Sequence, residues 1–293
     1  MHTQELVDSF FALLGWDTKK QKEFAVSFEA LGVVCDLQDT RNGIVTFRNK
    51  PSRIEEISET VHELITKGFV RRGEARAIRG RILFARGQTF GRCGAAALRV
   101  LGDLSDGSKG TPVLDRRAKA ALDWLVVMLR ESRPREIRVR VDKPVVLFVD
   151  SACEERPGGS PFVSIGAVLF DAARPDAGPL FFGCEVGGAV VSLWSSGGEK
   201  DQVIGQVELL PVSLAKTTWP ERFAGRPNIM FIDNNSARFG LIRGYSPVDA
   251  SASTIGESWL ADSYLGTRSW FARVPTHSNI ADKPSRLAFD EIT

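Results

Sequence analysis

The sequence predicts an α/β protein: a half built on a mixed five-stranded sheet, three antiparallel strands first and helices flanking, preceded by a mainly helical half. Three observations predict it. The runs "VVLFVDSA" and "FVSIGAVLFD" are apolar and β-branched, the turn-like "EERPGGS" separates them, and "GPLFFGCEVG" supplies a third antiparallel strand. Beyond them Val203, Val207 and Leu210 recur at helical spacing, and the strand-like "IMFID" and "SWFARVP" are each followed by residues suited to open a helix. Upstream of about residue 140 helical patterns dominate.

In the first half, Phe24, Phe28 and Leu31 repeat at helical spacing, and "GIVTF" reads as a short strand. "PSRIEEISETVHELITKGF" opens with a Pro-Ser helix start and stops at Gly68. "EARAIRGRILFARGQTF" is read as helical through Gly80. The Gly-, Asp-, Ser- and Pro-containing "LGDLSDGSKGTPVLDRR" reads as a loop, and "KAALDWLVVMLRES" as a helix. A domain boundary is placed around 135 to 143, separating a basic helical module at 1–140 from an α/β domain at 143–293.

The 293 residues, 43% hydrophobic and 25% charged, suffice for about two globular domains. No apolar stretch is long enough to span a membrane, and "MHTQELVDSFFALLGW" lacks a basic leader, so an intracellular protein of nucleus or cytoplasm, without a membrane partner, is expected. Cys35, Cys93, Cys153 and Cys184 are far apart and match no zinc spacing, so reduced thiols are expected. The net charge of +2 conceals segregation: between Lys67 and Arg99 nine basic residues face a single acid, Glu74. On a helix Arg72, Arg76, Arg79 and Arg86 share an arc of about 80° at 100° per residue, which suits phosphate contacts along a duplex; a solvated charged face is the alternative.

An unpaired Asp at the end of a buried strand is costly unless a partner offsets its charge, and a divalent cation is one such partner. Asp150 ends the first strand of the second half, Glu208 lies among Val203, Val207, Leu209 and Leu210, Asp233 ends "FID", and Asp282 follows the last strand in "SNIADKPSR". Taken singly, Asp233 reads equally as a helix N-cap, Glu208 as a surface charge and Asp282 as a helix-start residue. Four acids in this order on four elements point to a common site.

The motifs "LFVDSA", "IGQVELLPV", "FIDNNSA" and "VPTHSNIADKPSR" resemble the RNase H-like domain of retroelement reverse transcriptases, especially DIRS-type and related tyrosine-recombinase elements. Upstream, "FALLGWDTKKQKEFAVSFEALGVVCDL", "NKPSRIEEI" and "RGRILFARGQTFGR" resemble the segment joining a reverse-transcriptase palm to its thumb and connection. No Y-x-D-D polymerase motif is found, and too few residues precede the resemblance to hold fingers and palm, so no polymerase activity is expected. The resemblance implies hydrolysis of the RNA strand of RNA–DNA hybrids with two Mg²⁺ or Mn²⁺ ions. Asp150 would be the shared ligand, Glu208 and Asp233 would hold the ion on the leaving-group side, and Asp282 the ion carrying the attacking water. The expected partner is a hybrid or structured duplex, with a separate polymerase chain or a ribonucleoprotein as further associates. A host-derived, non-catalytic binding or scaffold protein is the alternative.

His277, five residues before Asp282, either assists product release or proton transfer, as a loop histidine does in some RNase H enzymes, or is a surface histidine. Asn234, Asn235 and Ser236 could meet a backbone or a 2′-hydroxyl, or cap the following helix. Pro211 is expected to kink a helix that begins near Val203, and "VVSLWSSGGEKD" to form a flexible loop.

Overall fold

A computed structural model describes residues 3–15, 25–89, 92–106, 113–139, 142–154, 162–195 and 203–291. The chain opens with α1 (Thr3–Leu13), then β1 (Ser27–Ala30), β2 (Val33–Asp36) and β3 (Ile44–Asn49). The helix expected through Phe28 and Leu31 is instead a hairpin, while Phe24 lies outside the described residues. Ala30 pairs with Val33, and the two turn residues, Leu31 and Gly32, have φ of 52° and 74°. Positive φ at both centres gives a turn whose twist matches the flanking strands, and it overrides the helical spacing.

The helix α2 (Pro51–Lys67) starts on its proline and ends where Gly68, at φ 76°, donates its N–H to Leu64 O. It is followed by α3 (Arg72–Arg86), α4 (Ala95–Asp106) and α5 (Arg116–Glu131). Residues 101–106, expected as loop, are the last turns of α4. Gly102 faces Arg79 there: a Cβ would lie 3.7 Å from the guanidinium, in ordinary van der Waals contact. The N-terminus of α5 is capped by Asp115, whose carboxylate accepts from the Ala118 N–H at 2.7 Å. β4 (Arg135–Arg138) then pairs with β3, completing a four-stranded antiparallel sheet in the order β1-β2-β3-β4. The first half is thus helical with a small sheet, of which the sequence pattern predicted β3, within "GIVTF", and not β1, β2 or β4. Ile57, Val61, Ile78, Ile82, Leu122 and Leu125, all nearly inaccessible, form its core.

The second half contains β5 (Val145–Glu154), β6 (Phe162–Asp171) and β7 (Leu180–Glu185), then α6 (Gly188–Ser195), α7 (Ile204–Val207), α8 (Leu210–Thr218) and α9 (Pro220–Phe223). β8 (Pro227–Ile232), α10 (Asn235–Arg243), α11 (Asp249–Leu265), β9 (Arg268–Arg273) and α12 (Asp282–Ser285) follow. The sheet order is β7-β6-β5-β8-β9. β5, β6 and β7 are antiparallel neighbours, β8 runs parallel to β5, and β9 parallel to β8. This is the mixed sheet the sequence predicted. Burial alternates along β5, with Val145, Leu147 and Val149 fully inside and Val146 and Phe148 less so, as a pleated strand with one core face requires.

The helix expected from Val203 is broken at Glu208 and Leu209 into α7 and α8. Pro211 therefore sits in the first turn of α8, where its missing N–H would have had no intrahelical partner. Residues 190–195 of the expected loop belong to α6, and 196–201 lie outside the described residues. The halves share one continuous apolar core. The Cys93 thiol donates to Trp259 O on α11 at 3.2 Å, and Arg92 donates to Ile242 O. No helix among the described residues is long and apolar enough to cross a membrane.

Candidate active site

Strand register brings the first two acids together. Phe148 on β5 is the parallel partner of Phe231 on β8, and their rings stack with centroids 4.7 Å apart. Two residues further along each strand stand Asp150 and Asp233, the latter just past the end of β8. Glu208 joins them from the break between α7 and α8. One carboxylate oxygen from each of Asp150, Glu208 and Asp233 lies within 4.8 Å of the others. Asp150 and Glu208 are 5% and 6% exposed, and Asp233 is half-buried.

Three carboxylates so close and so dry repel one another. Burial, the largest cause, raises the Asp150 carboxyl to about 6; Asp233 and Asp282 add repulsion, against the Ser285 hydrogen bond. Burial likewise raises Glu208 to about 8, with repulsion from Asp150 and Asp233 adding to it. Glu208 Oε2 and Asp233 Oδ1 are buried without a hydrogen-bond partner. Orphaned hard oxygens on converging acids fit a hard dication, because it supplies the charge and the coordination they lack.

A consequence for stability follows by linkage. Carboxyls whose folded pKa exceeds the unfolded value contribute stability that is complete below the ordinary values of 3.8 and 4.5 and is lost as pH rises through about 6 for Asp150 and about 8 for Glu208. In chelator, the melting temperature is therefore expected to fall between about pH 5 and about pH 8. Saturating Mg²⁺ should offset much of that loss, since it binds the ionised form. Thermal melts with EDTA or Mg²⁺ check this, and Glu208→Gln should reduce the dependence.

The fourth acid stands apart. Asp282 begins α12, is 32% exposed, and receives the Arg286 Nε–H at 3.0 Å; Arg286 also pairs with Glu154 at 2.9 Å. It is not part of the close group of three. Asn234 caps α10, its Oδ1 accepting from the Ala237 N–H at 3.1 Å, and Asn235 Oδ1 accepts from Arg238 at 3.3 Å. Ser236 and His277 are exposed, and His277, Thr276 and Asp282 line an open cleft of about 460 Å³ bounded by Val168 and Phe170. On α3 Arg76 is exposed, whereas Arg72, Arg79 and Arg86 are half-buried at the margin of the face that packs Ile78 and Ile82 inward. Arg86 has its pKa lowered, first by burial and then by neighbouring Arg92.

Thr276, Asn279 and Ser285 went unread in the sequence. Thr276 Oγ1 donates to Asp233 Oδ2 at 2.9 Å, Asn279 Nδ2 to Val149 O at 2.9 Å, and Ser285 Oγ to Asp150 Oδ2 at 2.9 Å. The available signal was a run of hydroxyl and amide residues around Asp282 in "THSNIADKPSR".

No protein-family model matches the sequence, and no curated protein matches it. Among solved structures, RNase H1 of Halobacterium salinarum is similar at 16% identity and TM-score 0.38, over 51% of this chain and 99% of that one. An N-terminal RNase H domain from Mycobacterium tuberculosis is similar at 14% identity and TM-score 0.36, over 50% and 94%. A foamy viral protease–reverse transcriptase in complex with RNA/DNA hybrid is similar at 10% identity and TM-score 0.34, over 97% of this chain and 56% of that one. The chain thus spans about half the length of the viral protein. By its strand order, strand directions and flanking helices, the second half has an RNase H-like fold.

Proposed function

We propose that the protein is a metal-dependent endonuclease that hydrolyses the RNA strand of RNA–DNA hybrids. The observation that carries this reading is the convergence of Asp150, Glu208 and Asp233, from three separate elements, with two buried oxygens lacking a partner. Asp150, Glu208 and Asp233 would hold one Mg²⁺ or Mn²⁺, and Asp282 a second after parting from Arg286. Such ions supply an activated water and neutralise charge on the phosphate and the leaving oxygen. The chain's own contribution is a dry, acidic, pre-formed end of the sheet. Burial there raises the Asp150 and Glu208 carboxyls to about 6 and about 8, and a cation binds their ionised forms, so cleavage is expected to strengthen from about pH 6 to about pH 8.

Residues 1–140 would hold the duplex while residues 143–293 hold the ions. Changing Arg72, Arg76, Arg79 and Arg86 together to Gln should flatten the slope of log affinity against log salt by about 3 to 4, at about 0.9 for each phosphate contact on a B-form duplex. Metal dependence of cleavage should be unchanged. An undiminished slope would make the stripe a solvated, packing-related face.

The pairing of Asp282 with Arg286 favours a second reading, in which the acids persist in a nucleic-acid-binding or scaffold protein without turnover. One assay separates them. Purified protein is given an end-labelled hybrid with Mg²⁺, Mn²⁺ or EDTA, and metal-dependent products ending in 3′-hydroxyl and 5′-phosphate are expected. Binding without cleavage at any metal concentration would favour the scaffold.

A further inference from the structure

The segment from Thr276 to Ser285 reaches the acidic centre at three points. Thr276 Oγ1 donates to Asp233 Oδ2, Asn279 Nδ2 to the carbonyl of Val149, which immediately precedes Asp150, and Ser285 Oγ to Asp150 Oδ2, each at 2.9 Å. Asn279 is 5% exposed and Ser285 fully buried. The Ser285 hydroxyl has a second acceptor, Asp282 O, also at 2.9 Å.

The sheet is shaped to receive this segment. Asp150, Gly166 and Gly183 form one row across β5, β6 and β7. A Cβ on Gly166 would lie 2.2 Å from Ser285 N, and one on Gly183 2.1 Å from Pro284 O. Only a bare backbone at both positions admits the segment so close that a short serine side chain reaches Asp150. Ser164 Oγ, on β6, secures the same turn by donating to Ser285 O at 2.5 Å.

We propose that Thr276, Asn279 and Ser285 are positioning residues of the metal centre: the two hydroxyls orient Asp233 and Asp150, and the Asn279 amide holds the strand that carries Asp150. This inference rests on the metal-dependent nuclease reading. The division of oxygens supports it: Thr276 takes Oδ2 of Asp233, and Oδ1 is the buried oxygen left without a partner and so available to a cation. Groups that fix a ligand's orientation in this way spare the ion the cost of ordering it, and their loss typically weakens metal binding by about 10- to 100-fold.

Thr276 gives a clean test because it is exposed, so loss of its hydroxyl leaves the core intact. Mn²⁺ binding to the full chain is measured by electron paramagnetic resonance of the free ion for wild type, Thr276→Val, Thr276→Ser and Ser285→Ala. Melting temperatures in EDTA and hybrid cleavage against Mg²⁺ concentration are measured in parallel. Thr276→Val should weaken Mn²⁺ binding about tenfold, and Thr276→Ser should restore it. The half-saturating Mg²⁺ should rise with the turnover largely regained at saturation, and Ser285→Ala should weaken binding in the same direction. If wild type binds Mn²⁺ and cleaves, yet Thr276→Val binds equally well or Thr276→Ser fails to restore a loss, the positioning role is wrong while the nuclease reading stands. If wild type neither binds Mn²⁺ nor cleaves, the nuclease reading fails and this inference with it.

Discussion

Asp150→Asn and Asp233→Asn should each lower hybrid cleavage about a hundredfold or more, because metal-borne stabilisation of charge in the transition state is worth several kcal/mol and each 1.36 kcal/mol is a factor of ten. The change is nearly isosteric and removes only the charge facing the cation. Loss of activity should not mean loss of fold. Asp150 is almost wholly buried and its carboxyl is raised to about 6, so in chelator above that pH an amide removes the cost of a buried charge and, after it, the repulsion from Asp233. Asp150→Asn should therefore melt at least as high as wild type at about pH 8 without metal, and gain less from Mg²⁺. An inactive variant with raised metal-free stability would mark a group held under electrostatic strain for function. Undiminished cleavage in either variant would remove it from the site.

What the sequence made legible follows from how each contact is encoded. Asp150 and Asp233 each follow an apolar run, and the parallel pairing that ends at Phe148 and Phe231 leads both to one site, although Asp150 lies within β5, which continues to Glu154, and not at its end as expected. Glu208 was legible through its apolar neighbours even though the helix predicted around it is two helices, because Pro211 moves the break without moving the acid off the core face. The hairpin of β1 and β2 was not legible. Its strands have four residues each, β1 shows no alternation of burial, and the deciding feature is the positive φ of Leu31, which no apolar spacing reports. The end of α4 was hidden differently: the Gly, Asp and Ser residues of 102–106 read as a loop, while Leu101, nearly inaccessible in the core, keeps that stretch in the helix. Thr276, Asn279 and Ser285 act on partners 43, 130 and 135 residues away, and ordinary polar residues in a loop carry no mark of such contacts.

Lys216→Met should be the most damaging change to the fold outside the acidic centre, at about 3–5 kcal/mol, the usual cost of breaking a buried ion pair on one side. Lys216 and Asp262 are both 0% exposed, with Nζ and Oδ1 2.7 Å apart, joining α8 to α11. Lys216 Nζ also donates to Ser258 Oγ at 2.8 Å and Ser258 O at 3.0 Å, and Asp262 Oδ1 accepts from Ser269 Oγ at 3.0 Å. Burial drives the lysine's pKa down and the aspartate's up, and each opposes that shift in the other. Without the lysine, Asp262 is left charged and unpaired or must take up a proton, and its Oδ2 is already buried with no partner. Because desolvation consumes most of what a buried pair returns, Lys216→Met combined with Asp262→Leu should recover much of the loss, to within about 2 kcal/mol of wild type. Urea unfolding of both variants and the wild type measures this. A single variant as stable as wild type would contradict the burial of the pair. The pair also bears on the site: α8 carries Lys216 at one end and follows directly on Glu208 at the other, so the contact with α11 fixes the helix that sets Glu208 beside Asp150. If so, Lys216→Met, assayed well below its melting temperature, should need more Mg²⁺ for half-maximal cleavage, and the double variant should need less than the single.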